Sequence, residues 1–329
     1  GSAPKADATA AVAPAGGGTE EVTTPDKVLK FTDQNAEDSP AGMWEQKFAD
    51  LVKEYTKGHI EVELYFNNTL CGYDIQPLQA GICDFIQYVP SSAGDLDSRL
   101  GAFDAPYIYR DADHRLAVFD PFNSEPLKVI NEALKDDGVM LLSSFNSGYR
   151  QITCNFPIRN LSDMKGAKIR VVPSDLYQQL FTAFGAAATP MAFSEVPTAL
   201  ITNVIDGQEN PYSVIVSSAL YEVQKYCMET NHLPTNHGLW MNRNTYESLT
   251  PEQQEAVLKA AYDASAYMDK YILDKVEEYK KICEDNGMEI IDAENGLDID
   301  GFKAAAENVY DYFAEDWGDM PDLIRAVQP

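Results

Sequence analysis

The sequence predicts an α/β protein of two lobes, with a cleft between them and one long helix crossing from lobe to lobe. Three observations carry this. Strand-like and helix-like segments alternate over 28–89. The alternation restarts after Asp136-Asp137-Gly138. From Thr250 a helical pattern runs to Asn286-Gly287, longer than most globular helices, so a break or a lobe-spanning helix is expected.

Val28-Leu29-Lys30-Phe31 is the first strand. Ser39-Pro40 caps a helix with proline at its first position. Trp44, Phe48, Leu51, Val52 and Tyr55 give that helix one apolar face, and Gly58 ends it. Ile60, Val62, Leu64 and Phe66 then alternate with Glu61, Glu63 and Tyr65, the period of a strand with one wet face. A short helix near 75–80 and a strand around 85–89 complete the first unit. In the second, Val139–Leu142 and Ile169–Val172 are buried strands, 176–184 is a helix, and Pro190 opens an extended piece. Ser194 caps a helix through Val204 that stops at Asp206-Gly207. Thr250-Pro251-Glu252-Gln253 is a capping box opening the long helix, and a last helix covers 299–313. The expected lobes are 25–147 plus 236–275 and 148–235 plus 276–329, with chain crossings near Asn146, Thr235 and Lys275.

The 329 residues suffice for one large or two medium domains. With 52 acidic and 25 basic residues the formal charge is −27, which repels anionic lipid headgroups and excludes nucleic acid as a partner, leaving a membrane link only through an N-terminal lipid anchor. No apolar run approaches the ~18 residues of a membrane span. Residues 1–24, rich in Ala, Gly, Thr and Pro, have no large apolar side chain but two valines, and are expected to be a flexible linker. It suits either the tether of an extracytoplasmic lipoprotein or a cloning remnant with a frayed terminus. Five cysteines, an odd number without a CxxC, and four histidines without metal-ligand spacing give neither a zinc site nor a redox motif. A Cys71–Cys83 bridge is left open. No cofactor or metal is expected.

GxSxG, GxxxxGK[ST] and GxGxxG are all absent, so no enzyme activity is expected. The eight arginines are more informative. Arg170 lies between Ile169 and Val171 inside a strand, and Arg150 stands just before Ile152. A guanidinium among apolar residues needs an anionic partner, because burying an unpaired charge is expensive. That partner is either a carboxylate of the chain or the carboxylate of a ligand, whose geometry the arginine fork matches in two-pronged fashion.

Several segments resemble the substrate-binding subunits of tripartite ATP-independent periplasmic (TRAP) transporters. They are Gly148-Tyr149-Arg150-Gln151, Asp163-Met164-Lys165-Gly166, Lys168-Ile169-Arg170-Val171, Thr189-Pro190-Met191-Ala192-Phe193-Ser194-Glu195-Val196, Asp206-Gly207-Gln208-Glu209-Asn210-Pro211 and Tyr221-Glu222-Val223-Gln224-Lys225-Tyr226. In this order and spacing the pieces are specific. More loosely, the resemblance runs from Leu29 to the C-terminus and takes in Ala105-Pro106-Tyr107. It implies a periplasmic-binding-protein fold, type II-like, that closes on a ligand and delivers it, as a monomer, to sodium-coupled membrane permease subunits. It also implies roles: Arg170 grips the ligand carboxylate, Arg150 makes a second carboxylate contact, Asn210 orients the carboxylate, and Phe193 lines the pocket. Sialic-acid binders carry a glutamate where this chain has Val89 and an asparagine where it has Pro173, which disfavours sialic acid. The other pocket candidates, Gln34, Gln87, Tyr212, Asn236 and His237, are polar and suit a hydroxylated acid such as a hexuronate or other sugar acid. C4-dicarboxylate or sialic-acid binding, and a sensor module presenting the ligand to a receptor, are the alternatives.

Overall fold

Strand β1 (Lys27–Thr32) buries Leu29 and Phe31 and leaves Val28 half exposed, as the alternation of a one-sided strand requires. The structure, a computed structural model, describes residues 23–329; most of the expected N-terminal linker, residues 1–22, lies outside the described residues. After β1 the helix Pro40–Tyr55 begins as its cap predicts, the Ser39 side chain accepting from the Gly42 amide. Its Trp44 and Phe48 pack edge-on against Phe31. Strand β2 (Ile60–Tyr65) then lies parallel to β1, from Lys27 opposite Ile60 to Thr32 opposite Tyr65.

Among the described residues eleven strands form two sheets, each at the heart of one lobe. The first has the order β2-β1-β3-β10-β4, with β3 at Phe85–Tyr88, β4 at Val139–Asn146 and β10 at Asn236–Asn242. Strand β10 runs antiparallel to both of its neighbours. In the second sheet the order is β11-β9-β5-β8-β6-β7. Its strands are β5 (Arg150–Cys154), β6 (Lys168–Val171), β7 (Ala187–Pro190), β8 (Gly207–Pro211), β9 (Tyr226–Met228) and β11 (Glu289–Ile291). A Cβ at Gly207 would lie 2.1 Å from the Thr153 carbonyl, so only glycine lets β8 approach β5 this closely.

The long helix is unbroken from Pro251 to Asp285, about 52 Å at 1.5 Å per residue. Thr250 and Gln253 close the predicted capping box. Its first half presents small residues, Ala260, Ala261 and Ala264, to the core around Trp44 and Phe48. Farther along, Val276, Tyr279 and Cys283 pack on Tyr212, Ile215 and Cys227 beside the second sheet. One helix therefore joins both lobes.

The C-terminal region differs from its expected form. The helix starting at Ile299 ends at Tyr312, and two short helices follow, Ala314–Trp317 and Met320–Ala326. Phe302 packs on Phe184 of the second lobe. Trp317 meets Gly101, and Arg110 donates to the carbonyls of Arg325 and Val327, all on the side of the first lobe. The last segment thus clasps both units instead of belonging to one. The helix expected from Ser194 to Val204 is a 3₁₀ turn, Phe193–Glu195, followed by Val196–Ile201, and Asn203 in left-handed geometry turns the chain away. Pro190 ends strand β7 and does not open one. All five cysteines are free thiols, so the Cys71–Cys83 bridge is absent; burial pushes the Cys83 thiol up to about 12.

Candidate functional site

Open α/β sheets present ligand sites beyond the carboxyl ends of their strands. In the second lobe this end carries the arginines. Arg170, on β6, is 3% exposed. Its Nε and Nη2 donate to one acceptor, the Met191 carbonyl, at 2.9 and 2.8 Å, and its guanidinium lies 5.6 Å over the Phe193 ring. Among the described residues no carboxylate pairs with it. Burial pushes its pKa below the ordinary arginine value; Glu209 acts against this shift and the neighbouring Arg150 adds to it.

Arg150, at the start of β5, is arranged differently. Its Nε and Nη2 both meet the Glu209 carboxylate, and Nη2 also donates to the Glu209 carbonyl at 3.0 Å and to Asn210 Oδ1 at 3.1 Å. Its other face lies 5.2 Å over the Tyr177 ring. Glu209 is wholly buried and also meets His232 Nε2 at 3.2 Å. Burial alone would raise the Glu209 pKa, but the charge of Arg150 and the His232 bond outweigh it and hold the carboxyl below its usual range. Burial keeps His232 neutral by lowering its pKa. Asn210 donates to Gln208 Oε1 at 2.5 Å, and Gln208 donates to Thr153 at 2.9 Å.

The first lobe contributes the ends of β1 and β3 and the start of β10. Gln87 is 1% exposed and its Oε1 has no partner. His237 stacks on Phe145 at 4.6 Å and meets Ser147 Oγ at 3.0 Å through Nε2, while Nδ1 has no partner. Burial lowers the His237 pKa to about 4, so the ring is neutral. Asp33 and Glu45 lie beside these two. Asp33 accepts from the Asn35 side chain, and Glu45 is fully buried. As a carboxylate Glu45 finds no donor; once protonated it donates to Asp33, which fits a pKa raised first by burial and then by Asp33.

The other candidates sit elsewhere. Asn236 is used up by the protein: Oδ1 accepts from Arg115 Nε at 2.8 Å, and Nδ2 donates to the Phe103 carbonyl and to Asp104. Arg115, 1% exposed, also binds Asp269 of the long helix at 2.8 Å and Ser144 at 3.1 Å. The Tyr212 hydroxyl bonds Glu229 at 2.7 Å, and Tyr212 lines a cavity of about 190 Å³ together with Arg115, Asn146, Asp269 and Lys280. Gln34 is exposed on the loop after β1. Thus Arg150, Arg170, Phe193 and Asn210 share one wall, Gln87 and His237 stand on the first lobe, and Gln34, Tyr212 and Asn236 fall outside both groups. Glu209, Asp33, Glu45 and Arg115 escaped the sequence. Glu209 alone had a signal, its place beside Asn210 in a matched segment.

The family model of bacterial extracellular solute-binding proteins, family 7 (DctP), matches residues 31–316. This chain belongs to that family. Family 7 comprises the TRAP solute-binding proteins, which take up small organic acids and work with membrane permease components; its members are binding proteins of transporters, not enzymes. Several of its relatives are named periplasmic proteins, and among the described residues no helix is long and apolar enough to cross a membrane. The 2,3-diketo-L-gulonate-binding periplasmic protein of Escherichia coli is 30% identical over 303 residues, 91% of this chain and 90% of that protein. A TRAP periplasmic solute-binding protein of Rhodobacter sphaeroides, solved in an apo open state, superposes with a TM-score of 0.84 at 29% identity, covering 92% of this chain and 99% of that one. The homologue from Xanthobacter autotrophicus with bound β-D-galacturonate gives 0.75 at 29% identity, covering 91% and 100%. Like these family-7 proteins, the chain has two α/β lobes.

Proposed function

We infer that this family-7 protein captures a hydroxylated monocarboxylic acid, a hexuronate or another sugar acid, between its lobes, and that Arg170 is the anchor of the ligand carboxylate. One observation carries this: Arg170 is a buried cation whose protein partner is a carbonyl, not a carboxylate. Such a group is left short of negative charge until an anion arrives. Asn210 and Phe193 flank the anion, and Arg150, already neutralised by Glu209, adds directionality more than charge. Gln87 and His237 face the ligand from the first lobe. The diketogulonate-binding relative and the galacturonate-bound homologue support a sugar acid.

The closing units are 25–147 with 236–275 and 148–235 with 276–313, the final segment riding on the first lobe. The loaded protein, a monomer outside the cytoplasm, delivers its cargo to a sodium-coupled permease and performs no chemistry on it. A thermal-shift screen over uronates, aldonates, C4-dicarboxylates and sialic acid tests this, because a ligand at 100 times its Kd stabilises by about 2.7 kcal/mol. A sugar acid should give the largest upward shift. A larger shift with succinate or sialic acid overturns the ligand class.

A further inference from the structure

The cavity of about 190 Å³ beside the long helix is separate from the inferred ligand site. Ile272, Leu273, Val276 and Tyr279 give it an apolar wall, and Ile272, Val276 and Tyr279 have the four-then-three spacing of one helix face. Leu273 is 52% exposed, so the cavity opens to solvent at that rim. Arg150, Arg170, Phe193 and Asn210 do not line it. Gln151 does, and along β5 its side chain points to the opposite face from that of Arg150. The charged groups of the cavity are spent on one another. Arg115 binds Asp269 at 2.8 Å and Lys280 binds Glu229 at 2.7 Å, so two cations and two carboxylates cancel. Glu229 also accepts from the Tyr212 hydroxyl, and Gln151 and Asn231 bond each other at 2.6 and 3.0 Å. This is the reverse of Arg170, whose buried charge meets only a carbonyl. A charged guest would lose its hydration and find every counter-charge already taken, whereas a neutral guest leaves both ion pairs intact.

We propose that this cavity is a second binding site, for a small, neutral, largely apolar molecule of one or two rings. The volume sets the size: an apolar cavity of about 150 Å³ takes up benzene, and this one is somewhat larger. The helix face sets the character, because covering hydrocarbon that meets water is favourable and needs no ionic partner. The cancelled charges set the neutrality. A sugar acid fits none of these terms, since it brings a carboxylate and hydroxyls that the apolar wall cannot bond. The two sites therefore take different molecules.

The test is calorimetric titration of the full chain with indole and with tryptamine, whose amine is protonated at neutral pH. Indole should bind one to one with a Kd of about 1 mM or tighter, a modest affinity for a molecule of its size. Tryptamine should bind at least about tenfold more weakly, although the chain's charge of −27 attracts a cation. Val276→Phe puts a ring into the cavity and should weaken indole at least about tenfold. Should that variant melt at a much lower temperature, Leu273→Trp decides, because its side chain stands half exposed at the rim. Arg170→Lys lies outside the cavity and should leave indole affinity unchanged. The absence of saturable indole binding, tryptamine binding as tightly as indole, or unchanged indole affinity in a folded Val276 or Leu273 variant overturns the proposal. Loss of indole binding in Arg170→Lys would move the guest to the inferred ligand site and overturn it too, whatever that variant does to galacturonate.

Discussion

Glu209 faces Arg150 diagonally across the antiparallel strands β8 and β5 and grips its guanidinium through both carboxyl oxygens. The pair is buried on both sides, so removing one member strands a charge in a medium that solvates it poorly. Glu209→Ala should therefore cost about 3–5 kcal/mol in denaturant unfolding of the apo protein. Unchanged stability would show that water or another group replaces the carboxylate. Because the folded pKa of Glu209 is lowered, its contribution is present above the unfolded carboxyl range and is lost as pH falls through the folded value.

Glu45 behaves in the opposite sense. Its folded pKa is raised, so its contribution is complete below the unfolded pKa, about 4.3, and fades as pH rises through the folded value. Asp33 faces it, His237 stands near Asp33, and Arg115 acts on His237 from farther away. Glu45→Gln should match the wild type near pH 4 and become progressively more stable than it toward pH 8. Melting curves of the two proteins that stay parallel across that range would contradict a proton held between Glu45 and Asp33.

Asn146 ties three distant segments together, at one of the proposed chain crossings. Its side-chain oxygen accepts from the amides of Gly148 and Thr235 at 3.1 and 2.9 Å, and its own amide donates to Asp269 at 2.7 Å. Asn146→Ala leaves the amides of Gly148 and Thr235 without an acceptor. We expect a loss of about 2 kcal/mol or more in unfolding free energy, from about 1–3 kcal/mol per unmet group. Small-angle scattering of the wild type should show a smaller radius of gyration with saturating galacturonate, and the same envelope with and without it would count against closure.

Local rules made much of the fold legible. Ser39-Pro40 and Thr250-Pro251 named their helices because caps act within a few residues, and Ile60–Phe66 named a strand because its alternation is strict. The end of the chain was less legible: Trp317 and Met320 are buried against the first lobe, a contact about 200 residues distant that no local pattern encodes. The site divides likewise. Arg170 stands out because a charge inside an apolar strand is visible in the sequence. The commitment of Asn236 to Arg115 and Asp104, and the meeting of Asp33 with Glu45, arise only when distant segments fold together. Polar character alone cannot separate a free side chain such as Gln87 from a spent one such as Asn236.

Arg170→Lys tests the central claim most directly. The lysine keeps the charge and can still donate to the Met191 carbonyl, but it loses the planar fork. Calorimetric titration with β-D-galacturonate should show affinity reduced at least about tenfold, equivalent to ~1.4 kcal/mol, with the apo melting temperature nearly unchanged. Unchanged affinity would remove Arg170 from the ligand, and a strongly destabilised apo protein would assign it to the fold instead.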